Sequence, residues 1–397
     1  MSRRPRLLCA VAALASIAAC GGGGGGGGEP DAPDVVAFDR RAMLAHLADN
    51  LWIPTYDRAA TDAAAMKTAI DAHCAALDGG TDDPAAARAA WVDAMDAWEY
   101  AEAIGVGPAE SNLEAIRNRI YGWPLFAPCS VDQDVLVRWQ TPASYDVTTR
   151  LDNARSLAAI EYLLFNTSAT SNCPITPVGW DALGADRPRA RCALAAAIAA
   201  DVAATTDALA AAWRPGGGNF RDQLALAGTS GSSIETEREA VNMVSDGLFY
   251  VDKMVKDMKL GESAGIVMNS CGTVEEPCVR EVEHRFADHA TPAIRVNLRA
   301  LRAGFTGTTA TVDGPGFDDY LTAVGAGEVA TRMIVDLDEA IAAADALPDS
   351  FLGALTGSRP AVVAVHSATK DLTDDLKSQF LTVLGLDIPD DVAGDND

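Results

Sequence analysis

Long alanine-rich segments with a helical period, parted by clusters of glycine and proline, leave this chain few options other than helix packed on helix. Residues 189–213 are the clearest case, and Arg214-Pro215-Gly216-Gly217-Gly218 ends them decisively. Alanine loses no side-chain entropy in a helix, and runs of aromatic or β-branched residues that would favour strands are sparse. The expectation is an all-α protein. Roughly 375 residues beyond the leader suggest two helical-bundle domains packed side by side, 36–214 and 215–397, divided at that glycine break.

The first residues are of another kind. Arg3, Arg4 and Arg6 precede an apolar stretch, residues 7–15, too short to span a bilayer as a helix. Leu14-Ala15-Ser16-Ile17-Ala18-Ala19 then places small residues directly before Cys20, as lipoprotein processing requires. The reading is a signal peptide over 1–19 and a lipidated Cys20. A glycine run and Glu29-Pro30-Asp31-Ala32-Pro33 follow, so that 20–35 form a tether. The expected location is the bacterial cell envelope, with membrane contact through the lipid anchor only. Gly21 after the lipidated cysteine favours the outer membrane. An ordinary secretory signal would change the anchor but not the compartment.

Without the three leader arginines, 28 basic residues stand against 56 acidic ones, a net charge near −28. That balance argues against nucleic acid as a partner and against a basic patch for anionic lipid. Six cysteines remain beyond Cys9 and Cys20, an even number that favours disulfides in an exported chain. Several connectivities are open. Cys271–Cys278 closes a short loop and Cys173–Cys192 a longer proline-rich one, which leaves Cys74–Cys129 by elimination. The cysteines lack C-x-x-C spacing and nearby histidines, so zinc is disfavoured.

Ser156-Leu157-Ala158-Ala159-Ile160-Glu161-Tyr162-Leu163-Leu164-Phe165 is the candidate functional stretch. On a helix, Leu157, Ile160, Glu161 and Leu164 share one face, so Glu161 is expected to be buried with its apolar neighbours. A buried carboxylate is costly unless it is paired, protonated or bound to metal. One reading satisfies it with an arginine or a backbone group; the other makes it a site residue.

Further helices are expected over 38–77, interrupted at Pro54, from Pro84 to about Ile104, and over 112–120. Others are expected over 232–260, with start signals at Ser232/Ser233 and Glu235/Glu237, over 281 to about 305 as one helix or a helix pair, and over 327–347 and 360–386. Glu99 and Glu102 are i, i+3 neighbours that either face solvent or share a cation. Glu281-x-x-His284 has the spacing by which one helix presents two iron ligands. Trp123, held extended before Pro124, is expected to plug a gap between helices.

The chain resembles the imelysin-like proteins of bacterial envelopes at a series of ordered motifs. Leu51-Trp52-Ile53-Pro54-x-Tyr56, Trp91…Trp98-Glu99…Gly107-Pro108 and Ile120-x-x-Trp123-Pro124-Leu125 carry the likeness in the first half. Lys259-Leu260-Gly261, Glu283-His284-Arg285-Phe286, Asn297-Leu298-x-x-Leu301 and Leu384-Gly385-Leu386 carry it in the second. The family's G-x-H-x-x-E signature stands here as Ser156-x-Ala158-x-x-Glu161, with the glutamate kept and the histidine replaced. Ala287 stands where the family usually has serine.

The resemblance implies an all-helical fold with a cleft between two bundles, a link to iron acquisition, and a reported peptidase activity attributed to the His-x-x-Glu pair as metal ligands. The five histidines are His46, His73, His284, His289 and His366, and none forms H-E-x-x-H or H-x-x-E. No G-x-S-x-G, phosphate loop or C-x-x-C-H is present. The reading is therefore a non-catalytic binding protein linked to iron or metal acquisition. Its ligand residues are Ser156, Glu161, Trp123 and Glu283, and Glu161 with His284 are the candidate ligands for weakly bound iron or another divalent metal. An iron-uptake transporter or receptor is the implied partner. The alternatives are a metal-dependent peptidase of the imelysin type and a structural envelope lipoprotein.

Overall fold

In a computed structural model, residues 38–272 and 274–389 are described, and among them there are helices and no strand. The leader, Cys20 and the glycine tether lie outside the described residues. The chain enters through α1 (Arg40–Leu47), capped by the Asp39 carboxylate, which accepts from Ala42 N at 3.0 Å. A π turn at Ala48–Trp52 leads into α2 (Ile53–Asp78). Proline has no N–H to donate and its ring crowds the carbonyl one turn back; the widened turn directly before Pro54 accommodates both.

The first half continues with α3 (Ala85–Glu102), α4 (Ser111–Ile120), α5 (Pro128–Gln140), α6 (Leu157–Phe165) and α7 (Arg187–Ala212). Helix α2 packs along both α3 and α7. Trp52 and Tyr56 stack on Trp213, with ring centroids 5.6 and 5.4 Å apart, which seals this bundle with aromatic surface. Asp181–Ala212 is long and apolar enough to cross a membrane, yet α7 lies against α2 as a core helix.

The second half contains α8 (Phe220–Ala225), α9 (Glu237–Leu248), a π-helical stretch Val251–Glu262, α10 (Ala290–Thr306), α11 (Phe317–Ala323), α12 (Gly327–Asp345), α13 (Phe351–Gly357), α14 (Arg359–Asp375) and α15 (Leu381–Leu384). Helices α10, α12, α14 and the π-helical stretch pack on one another, and α10 also packs on α3 of the first half. The described residues belong to one compact unit, and residues 214–218 form a turn within it.

Three expectations are corrected. Helix α9 starts at Glu237, not Ser232: Thr236 Oγ1 accepts from Glu239 N at 3.0 Å, while Ser232 and Ser233 bond Gln223. Residues 281–289 are not the start of a helix. His284 and Asp288 take left-handed φ values of 50° and 53°, and α10 begins only at Ala290, so Glu281 and His284 do not share a helix face. The disulfides are Cys74–Cys192, Cys129–Cys173 and Cys271–Cys278. Only the last pairing matches expectation. The packing of α2 on α7 brings the Cα atoms of Cys74 and Cys192 to 5.5 Å, and loop length carries no information about that contact.

Candidate functional site

Helix α6 delivers Glu161 where its apolar pattern places it, on a buried face with Leu157, Ile160 and Leu164. The Ser156 hydroxyl caps the helix, accepting from Ala159 N at 3.3 Å. Gly122, at φ 81°, leaves room for that hydroxyl; a Cβ there would stand 2.2 Å from Ser156 Oγ. Ser156 thus shapes α6 and does not line the adjoining cavity.

The Glu161 carboxylate reaches across to the irregular segment before α10. Its Oε1 accepts from the backbone N–H groups of Phe286 and Ala287 at 2.9 and 3.0 Å, and its Oε2 stands 3.5 Å from His284 Nδ1. Backbone and imidazole satisfy it; no arginine does. The other imidazole nitrogen, Nε2, bonds Glu99 Oε1 at 2.9 Å. His284 therefore bridges Glu99 of α3 and Glu161 of α6. A cavity of about 70 Å3 remains beside this bridge, lined by Trp123, Ala158, Glu161, His284 and Phe286 among others. The small side chain at 158 helps to leave this space.

Glu99 is also the centre of a second set of contacts. Lys259 Nζ lies 2.6 Å from Glu99 Oε2, 2.9 Å from Asn297 Oδ1 and 3.0 Å from Glu283 Oε1. Asn297 Nδ2 donates to Glu99 Oε2 at 2.9 Å and to the Glu99 carbonyl at 2.8 Å. Glu102, one turn on, accepts from Arg117 at 3.0 Å, from Trp98 Nε1 at 2.8 Å, and from the Tyr250 hydroxyl. The rings of Tyr250, Tyr121 and Trp123 lie 5.5, 5.8 and 6.0 Å from the Lys259 ammonium. All these charged groups are buried, so neither Glu99 nor Glu102 lies on a solvated face.

Burial and neighbouring charge set the protonation states. Burial works to raise Glu99, but the Lys259 ammonium and His284 outweigh it and hold the carboxyl well below the usual range. Burial works to lower His284, but the carboxylates of Glu283, Glu161 and Glu99 push it up to about 10. Burial, with Glu99 close by, drives Glu283 well above the usual carboxylate range.

This arrangement bears on metal binding. A metal-binding imidazole offers a neutral nitrogen lone pair. Here both ring nitrogens face carboxylates, which holds the ring as an imidazolium. The pair Glu161 and His284 is brought together as expected, but in the arrangement shown it does not fit a resident metal ion. His46 Nε2 bonds Gly307 O at 2.7 Å, and His289, whose ring centroid lies 6.3 Å from that of His284, bonds Asp96 through Nε2 at 2.7 Å. Lys259, Asn297, Arg117 and Tyr250 are the site residues that sequence reasoning missed. In the sequence Lys259 stands out only as part of the Lys259-Leu260-Gly261 motif, and it lies inside the π-helical stretch.

On the other side of the Trp123-Pro124 segment lies a larger cleft of about 720 Å3. Pro124, Glu102 and Arg117 line it from the first half, and Tyr250, Met254 and Met258 from the second. Its floor thus touches the Glu102–Arg117–Tyr250 group of the charge cluster.

Comparison with known proteins places this architecture. An imelysin-like protein from Psychrobacter arcticum 273-4 shares 17% identity, with a TM-score of 0.67 over 89% of this chain and 99% of that one. A protein described as an iron-regulated protein A precursor from Parabacteroides distasonis ATCC 8503 shares 18% identity, with a TM-score of 0.65 over 88% of this chain and 95% of that one. No curated protein matches. The sequence profile of the imelysin peptidase family matches residues 52–379, the greater part of the chain, and on that match this protein belongs to the imelysin family.

Proposed function

We propose that this chain is a non-catalytic binding protein of the bacterial cell envelope that serves iron or metal acquisition. Its ligand lies in the 720 Å3 cleft between the two halves of the chain. That cleft is the observation that carries the reading. It falls within the size range of small-molecule sites, and both halves supply its walls. Thioether and aromatic groups, Met243, Met254, Met258, Phe249 and Tyr250, give it soft apolar surface. Those walls suit an organic molecule, such as a metal carried in an organic complex, better than a bare ion.

The N-terminal sequence supports anchoring through a lipid on Cys20, with the folded part held near the membrane and an iron-uptake transporter or receptor as the recipient. The relative from Parabacteroides distasonis is described as iron-regulated, which agrees with this role. A peptidase of the imelysin type requires a metal-bound water or a free base, and the imidazolium of His284 supplies neither.

The test is a thermal-shift series on the chain without its leader, with haem, ferric citrate, Fe(III) and Zn(II), for the wild type and Met254→Arg. Stabilisation by an iron complex that is lost in Met254→Arg is the expected result. Stabilisation by no complex, or an equal effect in Met254→Arg, would overturn the assignment of the cleft. Chelator-sensitive cleavage of an unfolded protein substrate would establish the peptidase reading instead.

A further inference from the structure

The Lys259 ammonium occupies a position that suits a metal ion. Three oxygens from three separate segments converge on Nζ: Glu99 Oε2 at 2.6 Å, Asn297 Oδ1 at 2.9 Å and Glu283 Oε1 at 3.0 Å. His284 Nε2 lies 2.9 Å from Glu99 Oε1 and 3.9 Å from Glu283 Oε2. One ligand atom from each of Glu99, Glu283 and His284 lies within 4.8 Å of the others, close enough to share one ion.

Glu283 shows what this set lacks. It is 1% exposed, and neither of its oxygens takes part in a hydrogen bond, although Oε1 is an ion-pair distance from Lys259. Burial relieves this by raising the carboxyl well above the usual range, and direct coordination to a cation would satisfy it in its charged form. Two carboxylates, an amide oxygen and, once a bound metal displaces the proton that the carboxylates hold on His284, an imidazole form a donor set for Mn(II), Fe(II) or Zn(II). An ammonium carries one positive charge and forms contacts several tenths of an ångström longer than metal–oxygen bonds.

We propose that Glu99, Glu283, His284 and Asn297 form a latent divalent-metal site, and that Lys259 is its built-in occupant. While the ammonium is present, the site is closed to metal. Removing it leaves the Glu99 carboxylate without its ammonium partner and opens the same space. Nothing in this depends on which ligand the 720 Å3 cleft carries.

The test compares the wild type, Lys259→Met and the double variant Lys259→Met/Glu283→Gln. Lys259→Met keeps an apolar stem of similar length and removes only the ammonium. Each protein is prepared with chelator and titrated with Mn(II) and Zn(II) by calorimetry, with folding followed by circular dichroism. The expected result is one equivalent bound by Lys259→Met at least 100-fold more tightly than by the wild type, with binding lost in the double variant. If Lys259→Met is unfolded without metal, stoichiometric metal is expected to restore its cooperative fold. The proposal is overturned if Lys259→Met gains neither binding nor folding from metal. It is also overturned if the wild type binds equally tightly, or if the double variant binds as well as the single one.

Discussion

Glu161 shows how one side chain ties distant parts of this chain together. Its two oxygens hold two backbone amides and an imidazolium that lie about 125 residues further along. Truncation would leave all three buried without their acceptor. Glu161→Ala is therefore expected to cost about 3 kcal/mol, the usual range for removing one partner of a buried pair. Glu161→Gln keeps one oxygen for the amides but loses the charge facing His284, and about half that cost is expected. Urea unfolding of both variants checks this. An alanine variant within about 0.5 kcal/mol of the wild type would show that the amides find another acceptor. The burial of Glu161 was legible from the sequence, because its apolar neighbours recur at helical spacing. Its partners were not, since periodicity within α6 says nothing about which backbone groups approach from outside.

The same limit recurs among the elements. Long helices, such as α3 and α12 with their apolar periodicity and α7 with its alanine content, lie close to where the sequence places them. The segment that builds the site does not. Residues 282–289 are helical in composition, yet left-handed turns at His284 and Asp288 and the external acceptor Glu161 keep them irregular. A tertiary contact overrides local propensity there. The start of α11 carries a related conflict. Asp318 has one buried oxygen without a partner, and burial, helped by the charge of Asp319, raises its carboxyl from 3.8 to about 6. The folded state therefore binds this proton more tightly than the unfolded state. The contribution of Asp318 to stability is full below pH 3.8, declines as pH rises to about 6, and stays lost above. Asp318→Asn is expected to remove that decline and to be more stable than the wild type at pH 7. Urea midpoints for the two proteins at pH 4, 5, 6 and 7 are the check, and parallel pH profiles would refute it.

At the scale of the whole molecule, the buried charges decide how the halves behave. The first half contributes Glu99, Glu102, Glu161 and Arg117, and the second contributes Lys259, Glu283, His284 and Asn297. Divided at the glycine break, the first half would retain a surplus of buried carboxylates and the second would lose the acceptors of Lys259 and His284. Apolar packing of α10 on α3 crosses the same boundary. The sequence could mark the break but not this cross-tie, because the partners are about 160 to 200 residues apart. Neither half satisfies its own buried groups, so cooperative unfolding of the pair is favoured over stepwise unfolding. The chain without its leader is expected to melt in a single calorimetric transition, and the 36–214 fragment alone is expected to show helical signal without a cooperative melt. Two resolved transitions in the full chain, or a sharp melt of the fragment, would mean that each half can solvate or protonate its buried charges and stand alone.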